Sequence, residues 1–151
     1  MRTLGTILWH IPFCGFLNAI VVYLFGLTLV ATVIAAPLGL GLMEYGKFLF
    51  SPFGHSMISK SALQVSQNPL WKTYSFLVML AYLPLGLLIG FVCLFQIAGL
   101  FCTILGIPIA LIVAKSLGTF VNPVNKICVP IAVAEELERR KARTTVDKYL
   151  K

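Results

Sequence analysis

The chain has 151 residues, of which 59% are hydrophobic and 11% are charged, against about 25% charged in a typical globular domain. No charged residue lies between Arg2 and Glu44 or between Lys72 and Lys115. A soluble core of this size cannot enclose two uncharged stretches of that length, so the composition excludes a soluble domain and predicts an integral membrane protein in a lipid bilayer.

The net charge of the chain is +7, and its densest cluster of charged residues is the carboxyl-terminal tail. Six of the twelve basic residues lie in residues 139–151, and four acidic residues lie among or just before them. This pattern is typical of a solvated tail on the cytoplasmic side, with a lipid-headgroup or partner site as the alternative. It does not indicate a nucleic-acid partner.

The sequence contains the same pattern twice, at residues 15–54 and 86–125. A single constant shift in residue number, which we call the repeat offset, aligns the small and turn-forming residues of the two copies without a gap: Gly15 with Gly86, Pro37 with Pro108, and Pro52 with Pro123. Each copy is a long apolar stretch, a proline, a shorter stretch with one or two charges, and a second proline. We therefore expect two tandem membrane repeats.

The first unit, residues 1–54, is predicted to begin with an apolar helix over residues 3–35. Pro12 marks a possible bend, and the main span runs over residues 13–35. Pro37 then breaks the helix. The next leg, residues 38–50, is about 20 Å long if helical, which is short for a crossing and typical of a re-entrant or tilted helix. Pro52 ends the unit.

The remaining segments follow from composition. Residues 55–72 are predicted to form a polar cytoplasmic loop, with a short surface helix around residues 57–66. The second membrane unit, residues 73–129, repeats the first: a long helix over residues 73–107, a break at Pro108, a short leg over residues 109–121 and an end at Pro123. Residues 130–151 are predicted to form a basic cytoplasmic tail helix. The expected fold class is all-α.

Charge bias leaves two topologies open. The amino terminus, the loop with Lys60 and Lys72, and the tail all have the bias of cytoplasmic segments. If they share one side, each unit is a hairpin that returns, and the units are parallel repeats. If the short legs lie on the surface, each unit crosses once and the repeats are inverted. The bias favours parallel hairpins in a multi-pass protein.

The repeated pattern also resembles a known family. The relevant residues are Ile104-Leu105-Gly106-Ile107-Pro108 with Lys115 and Asn122-Pro123, and the first copy's Ala35-Ala36-Pro37 and Ser51-Pro52-Phe53-Gly54. They resemble the YccF family of small bacterial inner-membrane proteins over nearly the whole chain. The resemblance implies two copies of the domain and an inner-membrane location. The family is loosely described as a membrane or efflux-system component, with no catalytic residues to carry over.

Small residues recur four apart at aligned positions of the long helices: Gly15 and Ala19 in the first, Gly86 and Gly90 in the second. Small residues at this spacing let helix backbones approach closely. We expect the two long helices to pack on each other there.

The candidate polar path consists of membrane-depth residues in the two units: Glu44, Lys115, Asn18 and Gln96. Glu44 aligns with Lys115, and an intramembrane charge usually faces a partner or water because it costs about 2.5–3.5 kcal/mol at mid-bilayer. One hypothesis is a Glu44–Lys115 pair that lines a path. The alternative, favoured by the shallow legs, is that both snorkel to headgroups while Glu44 bonds to Lys47. Asn18 and Gln96 either bond between helices or line the path.

No nucleophile–base arrangement, phosphate loop or metal-ligand spacing is present in the sequence, so we expect neither an enzyme nor a cofactor or metal site. The cysteines are predicted to be packing residues: Cys14, Cys93, Cys102 and Cys128. The first functional hypothesis is a channel or transport component in which the short broken helices of a homo-oligomer line the path, since one chain has too few helices to enclose it. The second is a non-transporting accessory subunit that packs against a larger membrane partner.

Overall fold

The computed structural model describes residues 2–11, 14–63, 66 and 68–150. Within them, the helices in chain order are α1 (Arg2–His10), α2 (Gly15–Ala31), α3 (Ala36–Phe50), α4 (Pro69–Phe101), α5 (Ile107–Val121) and α6 (Ile131–Tyr149). The strands are β1 (His55–Ser59) and β2 (Lys126–Pro130), and short 3-10 helices cover Lys60–Leu63 and Ile104–Gly106. The mostly helical architecture agrees with the sequence expectation, whereas the two strands were not expected.

The first long helix predicted from the sequence is two helices. α1 ends at His10 and α2 begins at Gly15, with Cys14 between them in the left-handed conformation at φ 48°. Pro12 lies outside the described residues. The indole Nε1 of Trp9 donates a 3.1 Å hydrogen bond to the carbonyl of Leu49, which fastens α1 to the end of α3. By contrast, α4 continues through Pro84 as one helix of 33 residues.

Two helical hairpins form the body of the chain, α2 with α3 and α4 with α5. Pro37 and Pro108 are each the second residue of the returning helix, a position that needs no backbone N–H donor. In the first hairpin, a Cβ on Gly26 would lie 2.8 Å from the carbonyl oxygen of Gly39. Only a residue without a side chain permits this close approach of α2 to α3.

Each hairpin is followed by one strand, and β1 and β2 pair antiparallel, with Met57 opposite Cys128 at the centre of the register. Residues 55–59 are therefore a strand, and the predicted surface helix around residues 57–66 is wrong over this part. The pairing explains the error, because a strand of five residues is stabilised by a partner that lies far away in the sequence. The all-α expectation is corrected by this small sheet.

The repeat offset also relates several elements of the two hairpins. It carries both bounds of α3 onto those of α5, and both bounds of β1 onto those of β2. Met57 and Cys128, which pair across the sheet, are equivalent positions under the same shift. The sheet and the two short helices thus share the offset found in the sequence.

The turns of the two hairpins lie at opposite ends of α4. The hydroxyl of Tyr74, near the start of α4, donates to the carbonyls of Val33 and Ile34 in the first turn, at 3.2 and 2.6 Å. α4 ends at Phe101, immediately before the second turn. About 40 Å of helix separates Tyr74 from Phe101. The two hairpins consequently extend in opposite directions.

The core lies where the bases of the hairpins meet. Tyr45 of α3 packs edge-on against Phe120 of α5 with ring centroids 5.3 Å apart, and Phe48, Leu49 and Ile112 are buried around them. The outer faces of α2 and α4 instead expose large apolar side chains, which is the pattern of a lipid-facing surface. Among the described residues, Pro69–Phe101 is the one helix that is long and apolar enough to cross a bilayer, by length and composition only.

Candidate functional site

Glu44 links helix α3 to the sheet. One carboxylate oxygen forms an ion pair with Lys47 on the next turn, and the other accepts a 3.0 Å hydrogen bond from the backbone N–H of Cys128 in β2. The Glu44 side chain is 20% exposed and that of Lys47 is 54% exposed. The bond to Lys47 is the one that the second sequence interpretation expected, whereas the bond to the strand was not expected.

Lys115 does not pair with Glu44. It lies on an exposed part of α5, with its ammonium 5.9 Å from the ring centroid of Phe53. This is a cation–π contact at the outer limit of the useful range. The Glu44–Lys115 pair, which was one of the two hypotheses for the aligned charges, is therefore not formed in a single chain.

Asn18 and Gln96 lie on the surface of two different helices. Both are exposed, Asn18 in the first turn of α2 and Gln96 in the last third of α4. The four candidate path residues are consequently not gathered around one internal space in a single chain.

The small-residue patches contact other elements than predicted. Gly15 packs directly under the Trp9 indole, and Ala19 is fully buried against α3, where a Cβ on Gly46 would lie 3.1 Å from the Ala19 carbonyl. Gly86 and Gly90 face Val121 at the end of α5. The expectation that the long helices pack on each other at these patches is therefore wrong for one chain. Ala19 contacts α3 and the second patch contacts α5, whereas Gly15 contacts α1.

The terminal prolines of the two units are core residues. Pro52 and Pro123 follow the ends of α3 and α5 and are both fully buried. The carbonyl of Pro123 lies so close to Gly41 of α3 that a side chain there would collide with it. Pro123 thus joins the base of the second hairpin to that of the first.

Burial changes the acidity of two groups in β2, outside the apolar helices. Burial, with a smaller effect of the Glu44 carboxylate, raises the pKa of Cys128 from 9.0 to about 11. Burial also lowers the pKa of Lys126. Since Cys128 stays a thiol at neutral pH, it lacks the character of a nucleophile or metal ligand.

The chemistry of a metal centre is not assembled in the described part of the chain. All four cysteines are free, and no group of three or more His, Cys, Asp or Glu side chains gathers there.

What sequence reasoning missed is the bond between Glu44 and β2, since it depends on a strand whose partner is remote in sequence.

Comparison with known families identifies the first part of the chain as similar to a membrane domain. Residues 4–55 match the family model of YccF, described as an inner membrane component domain. The match covers one copy, about a third of the chain, and falls on the first predicted unit. These residues are thus similar to an inner-membrane domain, which is consistent with the predicted location. No curated protein and no solved structure matches the chain.

Proposed function

We propose that this protein is a non-enzymatic accessory component of the bacterial inner membrane, which anchors a polar platform on the membrane for a larger membrane partner. We define the polar platform as β1, β2, the 3-10 helix Lys60–Leu63 and α6. The observation that carries the proposal is that α3 and α5, the short helices expected to line a path, instead supply the buried core through Tyr45, Phe48 and Ile112. A helix face that packs in the core cannot also line a conduit.

The proposal includes a duplicated unit. Under the repeat offset, the matched residues 4–55 correspond to residues 75–126, where the family model finds no second copy. Support for a diverged second copy comes from the equivalent bounds of α3 and α5 and of β1 and β2, and from the pairing of Met57 with Cys128. A pair of antiparallel strands centred on equivalent residues has a two-fold axis perpendicular to the sheet.

The duplicated unit bears on topology. If α4 crossed the bilayer, the two turns would lie at opposite faces, and the sheet and the charged α6 would fall near the middle of the membrane, where charges are costly. If the two-fold axis through the sheet lies along the membrane normal instead, the sheet and α6 stay out of the middle of the membrane and this cost is avoided. In that arrangement the amino terminus, the platform and the tail are all cytoplasmic, as for parallel hairpins, and both turns remain in the membrane without emerging on the periplasmic side.

A labelling experiment tests this topology. Ile34 and Ile104, in the two turns, are 78% and 90% exposed. Single cysteines at either position, in a background without the native cysteines, should resist a membrane-impermeant maleimide added to spheroplasts. A cysteine at Lys60 should react only after the membrane is opened. Labelling of one turn from the outside would contradict the arrangement.

The transport hypothesis has one observation in its favour. Asn18 and Gln96 are exposed on otherwise apolar helices, where an uncharged polar group in lipid tends to find a hydrogen-bonding partner on another helix. A homo-oligomer would supply that partner and could place both residues along a path between chains.

Oligomeric state and ion flux separate the two functions. The accessory-component proposal expects a single chain in nanodiscs and no ion flux from liposomes above that of empty liposomes. A closed ring with flux, lost in the double variant Asn18→Leu and Gln96→Leu, would favour transport. Substitution of the lipid-exposed Leu24 by alanine serves as the matched control on α2.

A further inference from the structure

A cavity of about 420 Å³ opens beside the start of α4. It lies between the first turns of α4, the end of β1 and the turn that follows α5. Its polar lining includes Ser59, Lys72, Ser75, Asn122 and Asn125, while Met79 contributes to the apolar wall. This cavity borders both the polar platform and an apolar helix, which are the surroundings expected of a site at the membrane surface.

Two buried polar atoms of this cavity have no hydrogen-bond partner. Ser75 is fully buried and its hydroxyl is unpaired. The side-chain oxygen of Asn122 is also buried and unpaired, while its amide nitrogen donates to the sulfur of Met79 at 3.1 Å. Buried polar groups are nearly always paired, so the cavity offers one free donor and one free acceptor to a ligand.

The charge around the cavity is positive. Lys72 lies at its mouth in the first turn of α4, and no carboxylate is found among the described residues that line it. The backbone N–H groups of that first turn add a partial positive charge, and the Asn68 side chain does not cap them. An anionic group is therefore favoured here, and Ser75 supplies a buried contact that a helix terminus alone would lack.

We propose that this cavity binds a phosphate group with a neighbouring hydroxyl, the chemistry of the phosphoglycerol headgroup of an anionic phospholipid. The phosphate oxygens accept from the Ser75 hydroxyl and from Lys72, and the headgroup hydroxyl donates to the Asn122 side-chain oxygen. Exposed Phe76 and Leu80 continue from the cavity along α4 and offer an apolar surface to acyl chains. The inference does not depend on whether the protein transports anything.

Thermal unfolding in a zwitterionic detergent tests the proposal. Added phosphatidylglycerol should raise the unfolding midpoint of the wild type, whereas phosphatidylcholine should not. Loss of a hydrogen bond to a charged group weakens binding by roughly 10-fold or more, so Lys72→Gln and Ser75→Ala should each shift the phosphatidylglycerol titration by that factor. Lys60→Gln removes a lysine of the same charge from outside the cavity lining and should leave the titration unchanged.

The lipid-free protein separates a ligand role from a structural one. Because the Ser75 hydroxyl has no partner, Ser75→Ala should leave the lipid-free midpoint unchanged or raise it. A lowered midpoint with an intact lipid response would overturn the proposal. So would an unchanged response in Lys72→Gln, a variant of an exposed side chain that is expected to fold. If soluble glycerol phosphate gives the whole shift, the same chemistry is assigned to a soluble phosphate instead of a lipid.

Discussion

Met57 and Cys128 lie opposite each other at the centre of the two-stranded sheet and are equivalent positions of the two units under the repeat offset. Because the same shift carries α3 onto α5, the proposed duplication predicts that a rotation about the axis through this pair relates the two short helices. Such a rotation turns one hairpin away from the other. The Tyr74 hydrogen bonds at the first turn agree with this, since they set that turn at the opposite end of α4 from the second.

The distance between the two turns tests this relationship. Spin labels on cysteines introduced at Ile34 and Ile104, with the native cysteines replaced by alanine, should be roughly 40 Å apart, because about that length of α4 separates the turns. Double electron–electron resonance in nanodiscs measures this distance. Labels at Ile34 and at Thr73, beside the Tyr74 contact, provide a short-distance control. A turn-to-turn distance close to that of the control would mean that the hairpins run side by side.

Much of the helical order could be predicted from the sequence, because it depends on local chemistry. Pro37 and Pro108 disfavour a continuous helix, and the structure begins a new helix at the residue before each of them. The sequence indicated a bend at Pro12, but the complete break between α1 and α2 was harder to predict. At this break Trp9 bonds to Leu49, and Cys14 adopts the left-handed conformation. A tertiary contact and a strained backbone angle cannot be read from a pattern of hydrophobic residues.

The sheet and the polar cavity could not be predicted for a related reason. β1 has no strict alternation of polar and apolar residues, and its partner β2 belongs to the other unit, far along the chain. Ser75 is one serine among several near Lys72 in the sequence, and only the fold makes it a buried group beside Asn122. Glu44, by contrast, was identified as a candidate because its charge stands out in an apolar segment, although the sequence could not identify Cys128 as its partner.

Gly26→Ala should destabilise the first hairpin. A Cβ at this position would meet the backbone of Gly39 and of Met43 at 2.8 Å, and backbone cannot yield as a flexible side chain can. Overpacking of this kind costs about 1–3 kcal/mol. The thermal midpoint in detergent should fall accordingly. Gly118→Ala in α5 is the matched control: nothing lies within 4 Å of its Cβ, so its midpoint should stay or rise. Equal effects of the two substitutions would contradict the close approach.

A graded series at Glu44 tests its bond to the sheet. Glu44→Ala removes both the ion pair with Lys47 and the acceptor for the Cys128 N–H, and should lower stability by about 1–2 kcal/mol for this partly exposed group. Glu44→Gln keeps an acceptor and should lose less. Lys47→Gln should lose least, since that side chain is the more exposed.

Chemical denaturation in detergent, followed by circular dichroism, measures this order. Glu138→Ala, on an exposed position of α6, is the control and should be neutral. Hydrogen exchange at the Cys128 amide adds a local measurement, because Glu44→Ala should speed it while Glu138→Ala should not. If Lys47→Gln costs as much as Glu44→Ala, the ion pair and not the bond to β2 dominates.

Stability at high pH should depend on Cys128. Its pKa is raised from 9.0 to about 11 because burial disfavours the thiolate, so the folded protein holds the thiol proton more tightly than the unfolded chain. That contribution is present in full below about pH 9 and is lost as the pH rises towards 11. The difference in thermal midpoint between the wild type and Cys128→Ala should therefore shrink over this range. Taking a difference removes the titration of the other groups that the two proteins share. A difference that stays constant with pH would mean that the Cys128 thiol is not buried at the sheet.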